Sequence, residues 1–160
     1  MRIFLAAVAF SAAASPCVAQ HHAADDGYRV CAAEQTEQGR TIVRAACGDI
    51  GASGFRSMSF ASQAELESAR AAREAYMQSI ETYAACVSGF IEAQQRPGAP
   101  ADSLAPDQAA CAHSWAEEQA TEAVRNFGRA CIDFSNRSMT DASLSPWSGE
   151  CYPAVSGNNG

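Results

Sequence analysis

The sequence predicts a mainly α fold: a long antiparallel helical hairpin, a small disulfide-linked N-terminal β-hairpin or loop segment and an irregular C-terminal tail. Three observations carry this. An apolar stripe at helical spacing runs within residues 62–96, and a second within residues 107–136. Six of the seven cysteines lie beyond an N-terminal export signal.

The signal comes first in the chain. Arg2 supplies a positive start, and Ile3 to Ala14 is an apolar run too short to span a bilayer comfortably. Pro16 breaks it, and Cys17-Val18-Ala19 offers small residues at the positions a signal peptidase reads. Residues 1–19 are therefore expected to be removed. The product is placed in the periplasm of a bacterium or outside the cell, with no transmembrane helix left. Cys17 does not make a lipoprotein signal, because Pro16 directly precedes it.

Residues 20–27 are expected to be a flexible mature N-terminus. Gln20-His21-His22 puts a histidine third from the new amine. That amine, two amides and an imidazole make a square-planar nitrogen set that suits Cu(II) or Ni(II). His21 and His22 are thus the candidate metal ligands, and no other cofactor is indicated.

Residues 28–155 are read as one disulfide-stabilised domain. Tyr28-Arg29-Val30-Cys31 and Thr41-Ile42-Val43-Arg44 favour strands, and Gly39 sits between them in a turn-like stretch. This predicts a β-hairpin with Cys31 bridged to Cys47; a helix over Cys31 to Gln38, favoured by Ala32-Ala33, is the alternative. Phe55, Met58 and Phe60 follow as an apolar edge that folds onto the next helix.

That helix starts at Ser62-Gln63-Ala64-Glu65, the form of a capping box. Leu66, Ala69, Tyr76, Ile80, Tyr83, Val87 and Phe90 line one face, and Met77, Ala84 and Ile91 widen it. Pro97 ends it. At ~1.5 Å per residue such a helix is roughly 50 Å long, so its stripe must be covered. The second helix is expected from about Asp107 to Asn136, with Pro106 in its first turn. Ala120, Val124, Phe127, Cys131 and Phe134 form the covering stripe, and Gly128 suggests a close helix–helix approach. Axial offsets along this hairpin favour Cys86–Cys111 over Cys86–Cys131 and leave Cys131 for Cys151. The alternative partner for Cys131 is the N-terminal hairpin. Trp147 and Tyr152 in the tail are expected to lie across the helices. Residues 156–160 are read as disordered.

Composition narrows function. The chain has 18 acidic residues against 11 basic ones, and every basic residue is arginine. This excludes lysine nucleophiles and argues against binding a phosphate backbone. The cysteine spacing matches no zinc or haem pattern, and an even count in an exported chain implies bridges. His113 near Cys111 and Trp115, and Glu117-Glu118 with Glu122, read as helix surface rather than as acid–base groups. No phosphate loop, H-E-x-x-H or G-x-S-x-G is present. The reading that results is a non-catalytic binding or structural role, with a protein partner or a second copy of the chain covering the thin helical core. The alternatives are Cu(II) or Ni(II) binding through Gln20-His21-His22 and an enzyme whose site no motif marks.

Overall fold

The computed structural model describes residues 30–98 and 104–152. The expected signal at 1–19, the segment 20–27 with His21 and His22, and the tail 156–160 lie outside the described residues. Three helices carry the described chain: α1 (Ala33–Cys47), α2 (Gln63–Gln94) and α3 (Ala105–Thr140).

The expected N-terminal β-hairpin is not formed. Residues 33–47 are helical, and no strand occurs among the described residues. Thr41, Ile42 and Val43 favour strands only weakly against tertiary packing. Gly39 and Val43, four apart, are the buried residues of α1. Val43 is fully buried among Ile80, Tyr83 and Val87 of α2 and Ala109, Ala112 and Ala116 of α3. At its start the Ala32 N–H donates to Gln35 Oε1 at 3.0 Å. Beyond its end, Gly48 takes a left-handed φ of 74° while its N–H donates to the Arg44 carbonyl at 3.0 Å.

Helix α2 starts where its sequence indicates. Ser62 Oγ accepts from the Glu65 N–H at 3.3 Å. Glu65 reaches back one residue further than expected and accepts from the Ala61 N–H at 2.7 Å. Pro106 lies in the first turn of α3, where its missing N–H costs nothing. The early part of α2, through Leu66, meets the late part of α3 at Phe127, Ala130, Cys131 and Phe134. The late part of α2, through Tyr83 and Val87, meets the early part of α3 at Ala109, Ala112 and Ala116.

The pairing of the cysteines corrects two expectations. Cys31 bonds Cys111, Cys47 bonds Cys86, and Cys131 bonds Cys151. Cys31–Cys47 is ruled out because a 15-residue helix holds those two residues at opposite ends. Cys86–Cys111 is unnecessary because α1 supplies a partner to each. Helix α1 is thereby stapled at its start to α3 and at its end to α2. Of the expected bridges only Cys131–Cys151 forms.

The loop between α1 and α2 folds inward as expected. Phe55 stands 5.9 Å from Tyr76, and Phe60 stands 5.7 Å from Phe127, centroid to centroid. After α3 the chain turns back as a strap. Trp147 is buried against Phe134; its N–H donates to Ser138 Oγ, and its carbonyl accepts from Ser135 Oγ, each at 3.0 Å. Arg70 donates to the Glu150 carbonyl at 3.0 Å. Arg73, buried in the middle of α2, lies 4.4 Å over the Phe127 ring and donates to the Cys151 carbonyl at 3.5 Å. Gly128 is not a helix–helix contact: the ring of Tyr152 occupies the place of its missing side chain.

Candidate functional site

The polar groups singled out in the sequence are held in structural roles or on the surface. His113 is part-exposed, with Nδ1 3.6 Å from Glu117. Glu117 and Glu118 are exposed; Glu122 lies 4.0 Å from Arg56. The structure does not gather these residues around a cleft. Among the described residues no group of three or more His, Cys, Asp or Glu is placed to hold a metal ion.

Two polar clusters lie where α1 and the following loop meet the other helices. In the first, one terminal guanidinium nitrogen of Arg40 donates to both oxygens of Asp49, at 3.0 and 2.9 Å, and the guanidinium covers the Trp115 ring at 4.1 Å. Burial pushes the Asp49 pKa up, but the Arg40 bonds and charge, the Gly51 N–H and Arg44 outweigh it and hold it below the ordinary value. Tyr83 stands edge-on to Trp115 at 6.4 Å, and burial, helped by the Asp49 charge, raises its pKa. In the second cluster, Gln119 Oε1 accepts from the Ser53 N–H at 3.0 Å, and Tyr76 donates to the Gly51 carbonyl at 3.2 Å. These contacts fasten the loop to the bundle. They assemble no nucleophile with a base.

A concave feature with a strongly apolar floor lies between α2 and α3, a groove of about 390 Å³. Met77 comes from α2; Ala120, Thr121, Val124 and Arg125 come from α3; Tyr152 closes one end. Its origin is local. Alanine at 120 leaves a hollow beside the unbranched Met77. Val124 belongs to the expected covering stripe, yet it stays part-exposed because Ala116, Ala123 and Phe127 take the buried positions. The Cys131–Cys151 bridge fixes the backbone one residue before Tyr152, and Gly128 gives its ring room. The sequence marked Met77 as flanking the stripe and Val124 as part of it. It carried no sign that they are left uncovered.

A second concavity, along α1, is larger at about 560 Å³. Its lining includes the carboxylates Glu34 and Glu37, with Ile42 as its one large apolar residue, so it suits an apolar ligand less well. A third, where Met58 and Phe60 lie on α2, is formed by the loop's own packing.

No protein-family model, curated protein or solved structure matches the chain. These features define a small helical protein with three disulfides and, among the described residues, no helix long and apolar enough to cross a membrane. Disulfides of this number are the mark of an oxidising compartment and are consistent with an exported protein.

Proposed function

We propose that this is an exported binding protein of the bacterial periplasm or exterior. Its antiparallel α2–α3 pair and stapled α1 act as a rigid carrier for the apolar groove of Met77, Ala120, Val124 and Tyr152. The groove carries this reading. Its volume falls in the range of small-molecule sites, and it pairs an apolar floor with few polar groups. Three bridges suit such a role, since pre-organisation lowers the entropy cost of binding.

The test is a titration of the oxidised full chain with Nile red, a neutral dye that fluoresces in apolar surroundings. Saturable binding is expected in wild type. It should be lost in Thr121→Phe, which places a ring over the groove from an exposed position and leaves the core untouched. Absence of saturable binding, or binding that survives this substitution, contradicts the groove reading.

A further inference from the structure

We infer that the groove takes a single-chain amphiphile with a carboxylate head, the apolar chain lying on Met77, Ala120 and Val124 and the head meeting Arg125. This rests on the groove reading above and adds the chemistry of the ligand. The observation behind it is how the arginines are used. Arg40 and Arg44 meet Glu37 and Asp49, Arg56 approaches Glu122, and Arg137 meets Asp133. Arg70 and Arg73 hold the carbonyls of Glu150 and Cys151. In a chain with a formal charge of −7, carboxylates are in excess. Yet Arg125, Arg129 and Arg96 have no ion-pair or hydrogen-bond partner among the described residues.

Arg96 lies beyond the end of α2. Arg125 and Arg129 are four apart on α3, so they stand on one face of successive turns. Arg125 lines the groove, and Arg129 follows Gly128, on which the Tyr152 end wall rests. A free guanidinium beside an apolar trough fits a ligand with the complementary pair of features. Its planar fork matches a carboxylate bidentately. Met77 adds a floor that adapts to chains of different shape.

A free amphiphile fits better than a bilayer surface. The apolar contact is a concavity, and the overall acidic charge repels anionic lipid. Thr121 and Arg125 sit on the open side, so the head stays at the water boundary and the Arg125 charge need not be buried.

The experiment is calorimetric titration of the oxidised full chain with octanoate, decanoate and dodecanoate, and with dodecanol as the uncharged probe. One-to-one binding is expected, tightening roughly twofold to threefold per methylene because the groove covers the chain on one side only. Arg125→Gln should weaken dodecanoate by about fivefold to tenfold and leave dodecanol unchanged. Thr121→Phe should abolish both. Equal affinity for dodecanoate and dodecanol, or no effect of Arg125→Gln, overturns the carboxylate assignment. If Nile red still binds in either case, the groove reading stands alone. Binding to phosphatidylglycerol vesicles that survives Thr121→Phe would make the arginine face a membrane contact and overturn the proposal. Failure of every probe, Nile red included, removes the groove reading as well.

Discussion

Gly39 of α1 lies directly against the main-chain carbonyl of Gln108 in α3, and a Cβ at position 39 would overlap that oxygen. The obstructing atom is backbone and cannot swing aside. Gly39→Ala is therefore expected to destabilise the fold by about 1–2 kcal/mol, the overpacking cost outweighing the gain in helix propensity. Gly128→Ala is the control. There the obstruction is the ring of Tyr152, which is 47% exposed and free to rotate away. Urea denaturation should show this variant unchanged or stabilised by up to about 1 kcal/mol. With the Tyr152 wall displaced, its Nile red affinity should fall.

Acid should loosen α1 before the rest. The folded protein holds Asp49 below the ordinary carboxylate value, so its bonds to Arg40 contribute stability at neutral pH. That contribution is present above the unfolded pKa of about 3.9 and is lost as pH falls through the lower folded value. Trp115 lies under Arg40 and reports the change. Its fluorescence should shift at a pH below about 4, and Asp49→Asn should remove that step.

Arg73 is buried without an ideal partner, since its carboxylate neighbour Glu74 is 4.0 Å away and exposed. Burial lowers the pKa of its guanidinium. Its stem and planar head nonetheless fill the space over Phe127. Arg73→Met keeps the contact and removes the charge, so its melting should match wild type to within about 1 kcal/mol. Arg73→Ala leaves a hole and should cost about 2–4 kcal/mol. Equal losses in the two variants would show that the charge, rather than the packing, matters.

The long helices were legible because their signals are local. Ser62 and Glu65 cap α2 from within one turn, and Tyr76, Ile80, Tyr83, Val87 and Phe90 repeat at helical spacing. Helix α1 was misread because its strongest local signals point elsewhere: Thr41-Ile42-Val43 favours strand, and Gly39 resembles a turn. The face that buries it, Gly39 and Val43 with Cys47 partly packed below, repeats every four residues, but only tertiary contact with Gln108 and Ala112 gives it meaning. The cysteine pairing followed the same error. With a hairpin in place of α1, Cys31 and Cys47 look like neighbours. The groove was illegible for a different reason. Its depth depends on Ala120 lying beside Met77 and on Tyr152 coming back to Gly128 through a bridge, and neither leaves a periodic trace.

The measurement closest to the centre of this account is a tryptic map of the unreduced protein by mass spectrometry. Arginines separate the other consecutive cysteines from Cys31 to Cys151, but Arg96 precedes Pro97 and resists trypsin, so a glutamyl endopeptidase that cuts after Glu92 is added to part Cys86 from Cys111. Linked peptides joining Cys31 to Cys111, Cys47 to Cys86 and Cys131 to Cys151 are predicted. Peptides joining Cys31 to Cys47 and Cys86 to Cys111, or free thiols at these positions, would contradict the stapled three-helix body and the groove built on it.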